Sequence, residues 1–205
     1  MLLYDAAISG NCWKVRQLFA HLAIDYERKA LSVVDRSDRV AELGALNPSL
    51  RIPVVVDGDG TVRIESNAIL LHYAEGTDYL PGDTDGRDEV IRWLMFEQAN
   101  HQPYLAMPWF LTCVMPGDPE PNAFGFMQLM GKLALKAMDA HLAAGESGWF
   151  AAGRYTIADI ALYPYVARSP EAGFDLDRYG AVQAWLARVE AQPGFTTPPT
   201  REVTA

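Results

Sequence analysis

Residues 51–71 decide the fold of the first part of the chain, and they read RIPVVVDGDGTVRIESNAILL. The β-branched run Ile52–Val56 predicts a strand, and Thr61–Ile64 predicts its partner. Between them, Asp57-Gly58-Asp59-Gly60 has the composition of a hairpin turn. A helix is expected next, with Ser66 as its N-cap ahead of an apolar run. The stretch therefore predicts a β-hairpin followed by a helix.

The residues before this stretch predict a βαβ unit. Leu2–Ala6 is typical of a strand, and the segment from Val15 to Leu22 repeats apolar residues at helical spacing. A further strand is expected within residues 26–33, and residues 35–46 show a mixed, helical pattern. A βαβ unit followed by ββα predicts a small mixed sheet covered by helices.

The chain changes character near residue 76. Residues 77–86 are rich in Gly, Pro and Asp, which is typical of a linker. Beyond them no strand pattern is present, and residues 87–112 predict one long helix that Pro103 and Pro108 kink or break. The sequence therefore predicts an α/β domain over residues 1–76, the linker, and an all-helical domain over residues 87–205.

Composition limits the partners that the protein is expected to have. The 205-residue chain carries a formal net charge of −9, and its pI is about 4.8, so its field repels nucleic-acid phosphates. Cys12 and Cys113 have no metal-binding or redox spacing, and a reducing compartment is the simplest interpretation. The sequence shows neither a secretory pattern nor a run of about 18 apolar residues. Nucleic acid, a membrane and a metal ion are therefore not expected as partners.

Four short motifs follow one another along the chain. They are Ser9-Gly10-Asn11-Cys12, Asn47-Pro48 with Arg51-Ile52-Pro53, Glu65-Ser66-Asn67-Ala68-Ile69, and Thr156-Ile157-Ala158-Asp159. With these motifs and its helical second half, the chain resembles the cytosolic glutathione transferases, and within them bacterial serine-type members. The resemblance covers about residues 1–195.

This resemblance implies a fold and a general role. It implies an N-terminal thioredoxin-like domain, an all-helical C-terminal domain, and glutathione as co-substrate. It also implies a cytoplasmic homodimer that detoxifies small hydrophobic electrophiles. Thr156 and Asp159 receive only a structural role, as a helix capping box.

By resemblance, Ile52 and Pro53 hold the peptide backbone of glutathione. In this family the proline is cis, which directs the N–H and C=O of the preceding residue into open space, where an extended peptide pairs as an added strand. Only about 5–6% of X–Pro bonds in folded proteins are cis, so the motif alone would favour a trans bond. Leu50 stands where related proteins often carry a histidine, and Arg51 is the substitute for binding the glycyl carboxylate.

The γ-glutamyl end of glutathione is assigned to Glu65 and Ser66. A helix N-terminus offers free N–H groups and partial positive charge, which suit a carboxylate. By resemblance, Ser66 and its helix end bind the carboxylate, and Glu65 binds the ammonium group. The alternative is an ordinary N-cap beside a solvated glutamate.

Ser9 is the first candidate for activating the thiol of glutathione. A free thiol has a pKa of about 8.5, and lowering it by two units requires roughly 2.7 kcal/mol of preferential stabilisation of the thiolate. A hydroxyl at a helix N-terminus supplies a donor and a favourable dipole. Asn11 is a second candidate, because some bacterial classes use an asparagine there. Cys12 lies on the apolar face of the helix, and a buried, inert thiol is expected.

The acceptor pocket is predicted in the helical domain. Met107, Trp109 and Phe110 lie where the family binds hydrophobic electrophiles, although helix packing explains these side chains equally well. The resemblance implies glutathione transfer to an electrophile. Glutathione-dependent disulfide reduction or peroxidase activity is the alternative, and a non-catalytic interaction module is a further one.

Overall fold

The protein forms two compact units in a computed structural model that describes residues 1–115 and 120–198. One unit comprises Met1–Ala74 together with the segment that starts at Pro193. The other unit comprises Glu75–Gln192. The segment after Gln192 thus groups with the α/β unit, apart from the helical residues that precede it.

The first unit is a four-stranded mixed sheet covered by helices. Its strands are β1 (Leu2–Asp5), β2 (Glu27–Ala30), β3 (Val54–Val56) and β4 (Val62–Ile64), in the spatial order β2-β1-β3-β4. β1 runs parallel to β2 and antiparallel to β3, and β3 and β4 form the predicted hairpin. The helices are α1 (Gly10–His21), α2 (Arg39–Leu43) and α3 (Ser66–Ala74). The predicted thioredoxin-like arrangement is confirmed.

One apolar cluster joins this sheet to its helices. Leu3 of β1 lies opposite Val55 of β3, and both are fully buried. Val15 and Phe19 of α1 and Ile69 of α3 complete the cluster. Burying an aliphatic or aromatic side chain of this size contributes about 1.5–3 kcal/mol. The cluster therefore packs α1 and α3 against the sheet.

A buried ion cluster fixes the loop that leads into α1. The carboxylate of Asp5 is fully buried and accepts hydrogen bonds from Arg16 of α1 and Arg28 of β2. Arg16 also donates to the carbonyl oxygen of Ala7 at 2.9 Å. Because Asp5 has two cationic partners, its burial is compensated. The cluster ties the loop before Ser9 to β1.

The described part of the second unit is helical, apart from one isolated β-bridge between Ala151 and Arg154. Its α-helices are α4 (Thr84–Phe96), α5 (Gln102–Trp109), α6 (Pro121–Ala144), α7 (Ile157–Ala167) and α8 (Gly180–Glu190). Short 3₁₀ segments occupy Ser169–Ala172 and Leu176–Arg178. The predicted all-helical domain is confirmed. Within the described residues, no helix is both long and apolar enough to cross a bilayer.

The single helix predicted over residues 87–112 is not continuous. π-helical segments occupy Glu97–His101, before α5, and Phe110–Val114, after it. Pro103 lies at the start of α5, where its missing N–H costs little, and Pro108 lies inside α5. The interruption agrees with the prediction that Pro103 and Pro108 kink or break this helix. Apolar periodicity does not register the π-helical hydrogen-bonding pattern itself.

Candidate functional site

Ser9 is the N-cap of α1, and its hydroxyl is a hydrogen-bond donor at the start of the helix. Its backbone is extended, with φ −73° and ψ 119°, and its Oγ accepts a hydrogen bond from the N–H of Cys12 at 3.2 Å. Its own N–H donates to the carbonyl of Ala6 at 3.0 Å, which fixes the turn. The side chain is half-buried, and its hydroxyl, which also lies within hydrogen-bonding reach of the Cys12 thiol, is free to rotate. Ser9 can therefore donate to a ligand at the mouth of α1.

Asn11 and Ser66 bring the N-terminal ends of α1 and α3 together. The hydroxyl of Ser66 donates to Oδ1 of Asn11 across 3.4 Å. This contact orients the asparagine so that its amide NH₂ group remains a donor. Ser9 and Asn11 lie two residues apart at the same helix end, so three of the predicted site residues converge on one place.

The start of α3 differs in one detail from the prediction. The carbonyl of Glu65 accepts from the N–H of Ile69 at 2.9 Å, so Glu65 rather than Ser66 occupies the N-cap position. Glu65 adopts φ 65°, in the left-handed region, and its side chain is exposed. Ser66 is the first helical residue, and in the described structure its N–H has no partner. The helix end remains a suitable anion site.

Ile52 lies just before β3, and its main chain is unpaired within the described residues. The Ile52–Pro53 peptide bond is cis, as expected, and β3 begins at the next residue, Val54. Within the described chain, neither the N–H nor the C=O of Ile52 makes a hydrogen bond. An unpaired donor and acceptor on one residue suit an extended peptide added alongside.

Arg51 lies beside this segment. Its carbonyl accepts from the side-chain amide of Asn47 at 2.9 Å, which holds the turn before Ile52. The Arg51 side chain is exposed, and its guanidinium group has no partner in the part of the chain that is described. The structure therefore leaves this cation available for an anionic group of a ligand.

Lys14 is a polar neighbour of the site that the sequence analysis missed. It is 0% exposed, and its Nζ lies 3.4 Å from Oδ1 of Asn67, the residue after Ser66. Lys14 follows Asn11 by three residues, so both lie on the face of α1 that meets α3. The helical spacing was the available signal, but a lysine in a sequence normally indicates a solvent-exposed position.

Comparisons with known proteins agree with this geometry. The glutathione S-transferase N-terminal domain family matches residues 8–75, and its C-terminal domain family matches residues 105–193. The chain belongs to the glutathione S-transferase family.

Individual relatives span nearly the whole chain. A crystal structure of a glutathione S-transferase from Xanthobacter autotrophicus is 40% identical, covers 97% of this chain and 96% of its own, and superposes with a TM-score of 0.90. Glutathione S-transferase 3 of Zea mays is 30% identical and covers 94% of this chain and 90% of its own length. The disulfide-bond oxidoreductase YfcG of Escherichia coli is 26% identical and covers 91% of this chain and 89% of its own length.

Cys12 of this glutathione S-transferase family member is not placed to act as a nucleophile. Cys12 is fully buried, and burial, followed by the charge of Asp5, raises the pKa of its thiol to about 12. Such a thiol is protonated at neutral pH and is a poor nucleophile. The expectation of a buried, inert thiol is confirmed for Cys12, and Cys113 in the helical unit is also buried and forms no disulfide with a described residue. Among the described residues, no group of His, Cys, Asp or Glu has the geometry of a metal site.

The three predicted acceptor-pocket residues differ in exposure within the helical unit. Met107 is 46% exposed and Phe110 is half-buried. Trp109 is buried, its indole N–H donates to Glu171 at 2.9 Å, and the guanidinium of Arg168 lies 4.7 Å from its ring centroid. Met107 and Phe110 thus have side-chain surface free for a ligand, whereas Trp109 is held by its own unit.

Proposed function

We propose that this protein is a glutathione transferase that activates the thiol of glutathione for attack on small hydrophobic electrophiles. The observation that carries the proposal is the convergence of Ser9, Asn11 and Ser66 at two helix N-termini. This arrangement collects hydrogen-bond donors and partial positive charge where a thiolate and a carboxylate need them. Glutathione is the co-substrate, and no step of the mechanism involves a metal.

Binding of glutathione begins at its peptide backbone. The N–H and C=O of Ile52 pair with the cysteinyl unit of the tripeptide as an added strand. The exposed guanidinium of Arg51 binds the glycyl carboxylate, as a charge-assisted hydrogen bond. These contacts set the register of the tripeptide beside β3.

The γ-glutamyl end lies at the start of α3. The N–H of Ser66 and the dipole of α3 bind the carboxylate, and the exposed carboxylate of Glu65 binds the ammonium group. The Ser66 hydroxyl, which contacts Asn11 in the free protein, can rotate to donate to the ligand carboxylate, because hydroxyl hydrogens are free to turn. The zwitterionic end of glutathione thus meets a matching pair of charges.

Thiol activation uses the mouth of α1. The hydroxyl of Ser9 donates to the sulfur, and the amide of Asn11 supplies a second donor. These donors, with the helix dipole, stabilise the thiolate more than the thiol, which lowers the thiol pKa. The thiolate then attacks the electrophilic carbon, a carbon–sulfur bond forms, and the leaving group departs with the electron pair. Positioning and thiolate stabilisation supply most of the rate enhancement.

The acceptor is an apolar electrophile. Met107 and Phe110 are our candidate contacts, because both have accessible apolar surface and methionine adapts to varied shapes. Trp109 supports this region through its bond to Glu171. The helical unit therefore selects the electrophile, and the α/β unit activates the thiol of glutathione.

Glutathione-dependent disulfide reduction is the second candidate function, and the similarity to YfcG, named a disulfide-bond oxidoreductase, favours it. In this reaction the glutathione thiolate attacks a disulfide, a mixed disulfide forms and one substrate thiolate leaves. A second glutathione thiolate then releases the other thiol and gives oxidised glutathione. Because Cys12 is buried with a raised pKa, both attacking thiols must come from glutathione.

We also propose a cytoplasmic homodimer with a role in detoxification. The two cysteines form no disulfide with each other, which agrees with a reducing compartment. Phe126, Leu129 and Leu133 lie on α6 at helical spacing and are 50–55% exposed, which gives an apolar face for a second copy. Sedimentation or light scattering of the protein and of Leu129→Glu tests this assembly, and a monomeric native protein would contradict it.

One kinetic comparison tests the main proposal. We expect the native protein to conjugate glutathione to an activated aryl halide, and we expect Ser9→Ala to lower kcat by about tenfold to a thousandfold, as for loss of a donor to an anion. Asn11→Ala, measured beside it, separates the contributions of the two donors. Turnover of a model disulfide but not of the halide selects the reductase. No activity with either substrate, together with no calorimetric signal for glutathione, supports a non-catalytic module instead.

A further inference from the structure

The C-terminal strap, residues 193–198, lies along α1. The indole N–H of Trp13 donates to the carbonyl oxygen of Thr196 at 2.7 Å, and the amide of Gln17 donates to the carbonyl of Gly194 at 3.0 Å. The Oε1 atom of Gln17 accepts from the N–H and the hydroxyl of Thr196, at 2.7 and 2.6 Å. The ring of Phe195 packs edge-on against Trp13, with centroids 6.1 Å apart.

The side chains that hold the strap form one face of α1. Trp13, Gln17 and His21 are four residues apart, so they stack along the helix. The Gln17 amide lies 2.7 Å from Nε2 of His21, and His21 in turn bonds to the backbone of Pro193. Trp13 and Gln17 are 1% and 0% exposed. The buried polar groups of this face are therefore paired with main-chain groups of the strap.

Gly194 gives the strap its shape. Its φ is +80°, and a Cβ built on it would lie 3.3 Å from Nδ1 of His21. A side chain at this position would therefore combine backbone strain with a tight contact. Chain ends remain disordered unless contacts offset the entropy of ordering them. The contacts to Trp13 and Gln17 provide such an offset.

The strap is linked to the thiol-activating end of α1 through Trp13. The main-chain N–H of Trp13 donates to the carbonyl of Ser9 at 2.9 Å, at the start of the helix. The preceding N–H, of Cys12, donates to Oγ of Ser9. One residue thus holds Thr196 through its side chain and Ser9 through its main chain.

We propose that the C-terminal strap is a positioning element for thiol activation, and that Trp13 and Gln17 are its positioning residues. By fixing the first two turns of α1, the strap holds the hydroxyl of Ser9 and the amide of Asn11 in the geometry that stabilises the thiolate. This inference rests on the proposed glutathione transferase function. The strap acts through α1 and does not touch the substrate.

Two truncations of the full chain separate the strap from the residues beyond it. One ends at Gln192 and lacks the strap, and the matched control ends at Pro198 and keeps it. The pKa of enzyme-bound glutathione is measured from thiolate absorbance against pH, and kcat and KM are measured separately. Without the strap we expect the bound-thiol pKa to rise by about one unit, so the thiolate fraction below this pKa falls about tenfold. The control truncation keeps the native pKa.

A side-chain variant covers the case in which the shorter truncation fails to fold. Gln17→Met removes all three hydrogen bonds to the strap at similar volume, and Gln183→Met, on the exposed surface of α8, is its control. We expect Gln17→Met to raise the bound-thiol pKa and lower kcat, with KM for glutathione changed less than about threefold, since Ile52 and Ser66 lie outside α1.

The outcomes are distinct. A Gln17→Met protein that is less stable but binds glutathione with the native thiol pKa shows a merely structural strap and overturns the inference. A native protein that binds no glutathione or shows no thiolate absorbance overturns the proposed function, and the inference falls with it. Native binding with an unshifted pKa in the strap variants overturns the inference alone.

Discussion

The starts of α1 and α7 are built from similar residues, yet one is open and the other is closed. At α7, Thr156 and Asp159 are fully buried, and Asp159 accepts hydrogen bonds from the indole of Trp185 and from the main-chain N–H of Thr156 and of Phe150. At α1, Ser9 is half-buried, and its hydroxyl can rotate from the Cys12 thiol towards a ligand. A helix start with a hydroxyl cap can therefore bind a ligand only where its hydrogen-bond donors are accessible.

The starts of α1 and α7 are also expected to shift the pKa of an acidic group in opposite directions. Burial raises the pKa of Asp159 to about 6, although its hydrogen bonds lower it in part. At α1 we propose that the donors lower the pKa of a bound thiol. The physical difference is desolvation: a carboxyl group sealed in the core loses water, whereas a ligand at an accessible helix mouth gains donors.

The largest effect is expected from breaking the closed site. Asp159→Ala leaves the indole of Trp185 and buried main-chain N–H groups without their acceptor, so we expect a loss of about 3–5 kcal/mol in the free energy of unfolding. Urea denaturation followed by far-UV circular dichroism measures it. Asp88→Ala, at an exposed carboxylate on α4 that makes no hydrogen bond or ion pair with a described residue, is the control and is expected to cost less than about 0.5 kcal/mol. A similar midpoint for Asp159→Ala and the native protein would show that the network contributes little.

Deleting the hydroxyl cap is expected to lower mainly stability at the start of α7 and mainly kcat at the start of α1. Thr156→Ala removes a structural cap, so the free energy of unfolding falls by about 1–2 kcal/mol while kcat per folded molecule is unchanged. Ser9→Ala lowers kcat by about tenfold or more, with a loss of about 1 kcal/mol or less in stability. Paired kinetics and denaturation on both variants test the contrast. Equal loss of kcat in the two variants would remove the distinction between open and closed starts.

Much of the fold follows from local sequence, because the signals are short-range. The hairpin at residues 54–64 and the capping box at Thr156 and Asp159 depend on alternation, turn residues and side-chain oxygens that lie within a few residues of their partners. Helical periodicity likewise predicts that the second unit is helical. It does not predict the π-helical segments beside α5, because these depend on how the whole helix packs.

The candidate site was predictable in part. Ser9, Asn11 and Ser66 stand in motifs, and the structure brings them together. Lys14 was missed, because its burial depends on the contact with α3 and not on its neighbours in sequence. The strap was missed because Trp13 and Thr196 are 183 positions apart. Contacts of that separation leave no periodic pattern in a single sequence.

The raised pKa of Asp159 can be tested by measuring the free energy of unfolding as a function of pH. Because the pKa of Asp159 is raised from 3.8 to about 6 in the folded state, the folded protein binds this proton more tightly than the unfolded chain. Stability from this group is therefore greatest below pH 3.8 and falls as the pH rises towards 6, by up to about 3 kcal/mol.

Asp159→Asn isolates this titration. The difference in unfolding free energy between the native protein and Asp159→Asn, measured from pH 4 to pH 7, cancels groups common to both. We expect this difference to move against the native protein up to about pH 6 and to be constant above it. A difference that is flat throughout would mean that the hydrogen bonds to Asp159 balance its desolvation.

The smallest effect is expected at Cys12, next to the open site in sequence but closed in structure. Its thiol is fully buried with a pKa of about 12, so it supplies no thiolate at neutral pH. Cys12→Ala should keep kcat within about twofold of the native value for both the halide and the disulfide, at a cost of about 1–2 kcal/mol in unfolding free energy. Cys113→Ala, at the other buried cysteine, is the control. A selective loss of disulfide turnover in Cys12→Ala would mean that α1 opens during the reaction. The Cys12 thiol, buried in this structure, would then be accessible to the substrate.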